Sequence, residues 1–403
     1  MTSSTAPLFS SVEMAPRDPI LGLTEAFMAD TRPEKVNLGV GVYNDDSGKL
    51  PLLRAVKQAE ENRIKKGLPR GYQPIDGPAV YNKVVQEFVF GADSDLVRDG
   101  RVITIDSLGG TGGLKAGADY LRVLLPHSAV AISDPTWENH RGIFENAGFS
   151  VGTYTYYDPK SHGLDFGGMI TSLKGMPERT IVLLHACCHN PTGVDLTAQQ
   201  WEEVAALCKA KNFVPFLDLA YQGFGEGIAQ DAAAINLFAK SGMAFFVSNS
   251  FSKSFSLYGE RVGALSIVTS SKEEAKKVLS QVKRVIRTNY SSPPTHGGAI
   301  VTEILTTPEL RKMWEEELAE MRDRIRSMRV SFVEKLKALN VKQDFSFVTR
   351  QRGMFSYSGL TTAQAERLRA EYAVYVLDSG RICVAALNTG NIDRVVKAVA
   401  AVL

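Results

Sequence analysis

Lys253 stands in the stretch "NSFSKSFSLYGERVG" (Asn249–Gly263), directly after an apolar run and among serines, two phenylalanines and a tyrosine. An ammonium at the end of a buried strand is costly unless it is paired or chemically altered. Taken alone, it reads as a lysine snorkelling at a sheet edge. A lysine in a dehydrated pocket also gives up its proton readily and becomes a nucleophile or Schiff-base former. Ser250, Ser252 and Arg261 can complete an anion site beside it. Ser254, Ser256 and Tyr258 receive no role.

Two further clusters bear chemistry. Asp218 ends "FVPFLDLAYQGF", and a carboxylate at the end of an apolar strand calls for a cationic partner. That partner is an internal salt bridge or a protonated ligand nitrogen. "SLGGTGGLKAG" (Ser107–Gly117) follows a strand-like run and opens a helix-like one. Glycines let backbone approach an anion, and a helix N-terminus is partially positive, so this turn is a candidate phosphate cradle. It lacks the Gly-Lys-Ser/Thr ending of a P-loop and the later acidic residue of a dinucleotide fold. Phosphate turn, Asp, Lys and Arg in that order match what pyridoxal phosphate requires. An amine takes its aldehyde, a carboxylate pairs with its ring nitrogen, and glycines, hydroxyls and an arginine take its phosphate.

The elements that position these groups show in the hydrophobic pattern. Strand candidates fall at 102–108, 129–134, 151–157, 180–188, 213–220, 244–250 and 263–269, several of them continuously apolar, as strands covered on both faces are. Helical patterns lie between most of them. Thr197 and Gln200 form a capping box before Trp201, Val204, Ala205 and Cys208 at helical spacing. This rhythm predicts an α/β fold with a largely parallel, doubly wound sheet, whose ligands bind beyond the strands' carboxyl ends. Thr307 and Pro308 read as N-cap and first-turn proline of a long helix. Its apolar stripe runs Leu310, Trp314, Leu318, Met321, Ile325, Met328, Phe332 and Leu336. A helix along a domain seam is the expectation, in preference to a coiled coil. Residues 341–403 mix strand and helix patterns, as in a smaller α+β unit.

Composition narrows the class. The 403 residues carry 46 basic and 44 acidic side chains, a net charge of +2, which gives no electrostatic footprint for nucleic acid or anionic lipid. No apolar run is long enough to span a membrane, and the N-terminal residues show no secretory signal pattern, so the cytoplasm is expected. Cys187, Cys188, Cys208 and Cys383 make no disulfide framework. Cys187, Cys188 and His189 are adjacent, but zinc ligand pairs are spaced by two or more residues, so no metal is expected.

Several motifs carry a resemblance: "SDPTWENH", "CCHNPTG", "DLAYQGF", "SNSFSK", "SLYGERVG", "NYSSPP" and "RGMFSYSGL". From "RDPILGL" to "RVVKAVAAVL" the chain resembles the aspartate aminotransferase family of fold-type I pyridoxal phosphate enzymes, in its aromatic-amino-acid (tyrosine) branch. The resemblance implies a large cofactor-binding domain at 50–318, with a mostly parallel seven-stranded sheet. An N-terminal arm and small domain take 1–49 and 319–403. Lys253 is implied as the residue that takes the cofactor aldehyde and later moves the proton at the substrate Cα. Asp218 holds the ring nitrogen, Tyr221 and Asn190 contact the phenolic oxygen, and Trp137 stacks on the ring. Gly110, Thr111, Ser250, Ser252 and Arg261 hold the phosphate, with Tyr72 reaching it from the neighbouring subunit of a homodimer. Arg381 takes the substrate α-carboxylate and Arg287 the distal carboxylate from across the dimer. Trp137 and Asn190 also touch substrate, and Gly41 and Ile20 lie on the closing side. Gly71 and Ser292 depart from aspartate-specific members toward the aromatic branch. The implied activity is transamination of tyrosine, phenylalanine and aspartate with 2-oxoglutarate; a strict aspartate aminotransferase is the alternative. Fewer than 20 residues precede the first motif, so no added DNA-binding module is expected.

Overall fold

A computed structural model describes residues 7–16 and 18–403. All seven expected strands form one sheet: β1 (Val102–Leu108), β2 (Val130–Asp134), β3 (Val151–Thr155), β4 (Ile181–His185), β5 (Val214–Leu219), β6 (Phe245–Ser250) and β7 (Val262–Val268). Their spatial order is β1-β7-β6-β5-β4-β2-β3. Only β7 runs antiparallel, to both of its neighbours. The remaining pairs are parallel.

Alternate side chains leave the sheet on opposite faces. Ile105, Phe216, Phe246 and Leu265 enter one apolar cluster. Leu217, Phe245, Val247 and Ala264 enter the other. Burial on both faces explains why these strands read as continuous apolar runs. The parallel β4, β5 and β6 all end on one edge, in register there: His185 pairs with Asp218, and Asp218 with Ser248.

Helices complete the frame. The helix that follows β1, α1 (Gly109–Leu124), begins without a side-chain cap. The Thr197–Gln200 capping box forms at the start of Ala198–Ala210. The long helix, α2 (Pro308–Ala338), buries all eight stripe residues. Thr307 stands at its N-cap, but its side chain makes no capping bond. This helix packs on Arg54–Lys66 and His296–Thr306 at one end and on Ile392–Val402 and Ser346–Arg350 at the other. It therefore packs within the chain along its whole length. The C-terminal part adds two small sheets, Val36–Asn37 with Val374–Tyr375 and Phe355–Tyr357 with Arg381–Cys383. Arg381 thereby lies on a strand beside Phe355–Tyr357.

Candidate active site

A cavity of about 400 Å³ opens at the carboxyl edge of the sheet. Its wall contains thirteen of the residues singled out from the sequence: Ile20, Gly41, Gly110, Thr111, Trp137, Asn190, Asp218, Tyr221, Ser250, Ser252, Lys253, Arg261 and Arg381. Tyr72 and Arg287 stand apart from it. Tyr72 is 99% exposed and lines a surface hollow with Gly71, Ser291 and Ser292. Arg287 is exposed and donates to Ser291 of that same hollow.

Lys253 lies in the turn after β6, with its Nζ 5.0 Å from the centre of the Tyr221 ring. Burial pulls its pKa down to about 8, Asp218 working against that shift and Arg261 with it. The turn is braced by the neighbours that had no role. Trp314 Nε1 donates to the Ser254 carbonyl at 2.7 Å, and Ser256 Oγ donates to the Pro51 carbonyl at 2.8 Å. The Tyr43 N–H donates to Tyr258 Oη at 3.0 Å, which ties the wall segment Val40–Val42 to the lysine turn.

Asp218, next to last in β5, lies fully within the protein. Burial alone would raise its pKa, but the hydrogen bond from His140, with the electrostatic influence of the surrounding imidazoles and Lys253, outweighs burial and lowers it. His140 Nε2 is 2.9 Å from Asp218 Oδ2, and His140 Nδ1 is 2.8 Å from Thr136 Oγ1. With Nε2 as the donor, Thr136 donates to Nδ1, and the chain fixes the carboxylate in its ionised form. Asp218 Oδ1 takes no hydrogen bond among the described residues and is left for the cavity. His185 packs on His140, and burial takes its pKa down to about 3, so it is neutral. His140, His185, Tyr258 and Phe355 were not assigned by the sequence. Thr136 and His140 four residues apart, and His185 at the end of an apolar strand, were the available signals.

The glycine turn packs against Ser250 and Arg261. An uncapped helix start leaves first-turn N–H groups without partners. A Cβ on Gly110 would come 3.1 Å from Ser250 Cβ, and one on Gly109 would come 2.5 Å from Arg261 Nη2. Arg261 Nη1 donates to Ser252 Oγ at 3.2 Å and to the Tyr258 carbonyl at 2.9 Å. Free N–H donors, two serine hydroxyls and a guanidinium converge on one small volume, which is the donor set a phosphate monoester needs.

Arg381 completes the wall. It is 1% exposed, and its Nη1 donates to Asn190 Oδ1 at 3.1 Å and its Nη2 to the Gly39 carbonyl at 2.5 Å. Its guanidinium lies over Phe355, 4.2 Å from the ring centre, and its Nε has no partner among the described residues. No carboxylate pairs with it among the described residues, and burial lowers its pKa. A buried cation without a counter-ion, opening on a cavity, is poised for an anionic ligand.

The adjacent cysteine and histidine motif is otherwise engaged. His189 lies between Ser133 and Thr192 hydroxyls at 2.9 and 2.8 Å and stacks on Tyr156. Cys187 and Cys188 approach Asp231, but that carboxylate already accepts the N–H groups of Gly223, Gly225 and Glu226.

An α/β fold with an amine, an acid, a phosphate cradle and a buried arginine at one sheet edge defines a class of cofactor-dependent transferase. The family model for aminotransferase class I and II matches residues 33–399, and the chain belongs to that family. It is 63% identical over 396 residues to the aspartate aminotransferase of Pseudomonas aeruginosa, covering 98% of this chain and 100% of that one. It is 48% identical to the aromatic-amino-acid aminotransferase of Escherichia coli, over 98% of this chain and all of that one. The crystal structure of the aromatic-amino-acid aminotransferase from Burkholderia pseudomallei, covalently bound to pyridoxal phosphate, superposes with a TM-score of 0.97. That protein is 64% identical, over 99% of this chain and 100% of the other. The chain is an aminotransferase with relatives in both the aspartate and the aromatic branches.

Proposed function

We propose that this aminotransferase uses pyridoxal 5'-phosphate to exchange amino groups between tyrosine, phenylalanine or aspartate and 2-oxoglutarate, releasing the oxoacid and L-glutamate. The observation that carries the reading is Arg381, a buried guanidinium without a carboxylate, in the same cavity as Lys253 and Asp218. Bound pyridoxal phosphate supplies an aldehyde for amine exchange and a ring that withdraws electron density from the substrate Cα. The chain's own groups do the rest. Arg381 takes the α-carboxylate by two parallel N–H bonds and so orients the Cα–H bond. Lys253, with its lowered pKa, removes that proton and returns it one position along. Asp218, held ionised through His140, would keep a proton on the ring nitrogen of the bound cofactor. Tyr221, whose phenol burial holds protonated, and Asn190 face the phenolic oxygen. Trp137, held edge-on to His140, would stack on the ring. Gly110, Thr111, Ser250, Ser252 and Arg261 hold the phosphate, and Ile20 and Gly41 exclude water from the mouth.

The broad range rests on Arg287. It is exposed and bonded to Ser291, so a distal carboxylate can pair with it and a neutral ring can displace it. The same hollow bears Tyr72, Gly71 and Ser292, which supports a homodimer whose second subunit brings Tyr72 and Arg287 to this cavity. We place the large domain at 50–318 and the arm and small domain at 1–49 and 319–403. No helix among the described residues is long and apolar enough to cross a membrane, and we place the enzyme in the cytoplasm.

Half-reactions with phenylalanine and aspartate test the substrate range. Comparable catalytic efficiencies are expected. A preference for aspartate beyond about a thousandfold, roughly 4 kcal/mol in transition-state binding, would instead mark a strict aspartate aminotransferase. Full turnover by Lys253→Ala would sink the mechanism.

A further inference from the structure

A second cleft, of about 480 Å³, lies between the loop Phe224–Glu226, the middle of α2 and the segment Thr349–Gly353. Its wall holds four arginines, Arg326, Arg329, Arg350 and Arg352, and a single carboxylate, Glu226. Glu226 is shared, 3.1 Å from Arg326 and also paired with Arg352. Asp323 on the rim is 3.9 Å from Arg326. Arg350 is exposed and has no ion-pair partner among the described residues. Arg329 is buried without a carboxylate and is held by the carbonyls of Val348, Gly353 and Phe355.

We propose that this cleft binds a small polyanion of the di- or triphosphate class across Arg326, Arg350 and Arg352. Three solvent-facing guanidiniums around one hollow, with Arg329 buried behind them, exceed what Glu226 and Asp323 neutralise, and a monovalent ion cannot match the remainder. Linked phosphates offer several charges and paired oxygen acceptors, the geometry that guanidinium forks prefer. The near-neutral net charge and the concave seat favour a small molecule over a polymer or a membrane surface. The site is coupled to the cavity described above. The Arg352 N–H donates to the Gly193 carbonyl at 2.7 Å, three residues beyond Asn190. Two residues past Gly353, the Phe355 ring carries the Arg381 guanidinium. A polyanion that draws Arg352 from Glu226 loads the backbone on which Phe355 rests, and so alters capture of the substrate carboxylate. That last step rests on the substrate role proposed for Arg381, whereas binding does not.

Isothermal titration of the cofactor-loaded enzyme with tripolyphosphate at constant ionic strength tests the site. One saturable site per chain is expected, with affinity at least about tenfold weaker in the Arg326→Ala/Arg350→Ala double variant. Arg350→Ala alone, at an exposed and unpaired position, is expected to weaken binding with unchanged circular dichroism and thermal midpoint. Absence of saturable heat, or equal affinity in wild type and both variants, overturns the site. The amino-acid KM is expected to shift at saturating tripolyphosphate. An unmoved KM with binding intact overturns the coupling alone.

Discussion

The guanidinium of Arg381 lies 4.2 Å from the centre of the Phe355 ring, and the ring substitutes for the missing carboxylate. A cation over an aromatic face is attracted, but far less than to a carboxylate. The arginine is thus held in place without being satisfied. Arg381→Lys keeps the charge and loses the planar fork. Its kcat/KM is expected to fall by about 10²–10³, roughly 3–4 kcal/mol. On the substrate role proposed for Arg381, cofactor affinity, measured by absorbance titration, is expected to stay unchanged. An equal loss in cofactor affinity would reassign the residue to the cradle.

Lys253 gives a prediction that needs no turnover. Its folded pKa of about 8 lies below that of an ordinary lysine, so the cofactor-free native state holds the neutral amine more readily than the unfolded chain does. The destabilisation from the buried ammonium is fully present below pH 8 and is relieved as pH rises toward the unfolded value near 10.5. Lys253→Met removes it altogether. The cofactor-free variant is expected to exceed wild type in urea midpoint at pH 7, and the gap is expected to shrink through pH 8–10. A gap independent of pH would mean that Lys253 titrates as an exposed lysine does.

Much of the fold was legible because burial on both sheet faces leaves unbroken apolar runs. The Thr197 capping box and the Leu310–Leu336 stripe were equally plain, since each is a local pattern. What was hidden depends on three-dimensional convergence. His140 reaches Asp218 from 78 positions away, and Tyr258 reaches the Tyr43 backbone across 215. No periodicity announces either contact. Thr307 and Pro308 do stand at the N-cap and first turn, but the Thr307 hydroxyl makes no capping bond, a detail residue type alone does not announce. Tyr72 and Arg287 mark a third case. Their residue types suit phosphate and carboxylate binding, but a single chain keeps them at a surface hollow away from the cavity.

Tyr258 links two walls of the cavity. Its Oη accepts the Tyr43 N–H, and its carbonyl accepts from Arg261. Tyr258→Phe leaves a part-buried N–H unpaired, at about 1–3 kcal/mol, and releases Val40–Val42 from the lysine turn. The amino-acid KM is expected to rise several-fold, with kcat and cofactor affinity little changed. A fall in kcat at constant KM would place the hydroxyl in the chemical step instead.

Gly263 sits where β6, β7 and the start of α1 converge. A Cβ there would lie 2.5 Å from the Asn249 carbonyl oxygen and 2.7 Å from the Gly109 carbonyl carbon. Both obstacles are backbone, so neither can rotate away. Gly263 also pairs with Ser250 in the sheet, which couples the clash directly to the phosphate cradle. Gly263→Ala is expected to cost about 2–3 kcal/mol in urea unfolding and to weaken pyridoxal phosphate binding, as the cradle is pushed open. Gly259→Ala, four residues away with no atom within 4 Å of its added Cβ, serves as the control. Its stability is expected to stay within about 0.5 kcal/mol of wild type. Equal effects from the two substitutions would show that the loss reflects the residue type and not the close approach of β6 and α1.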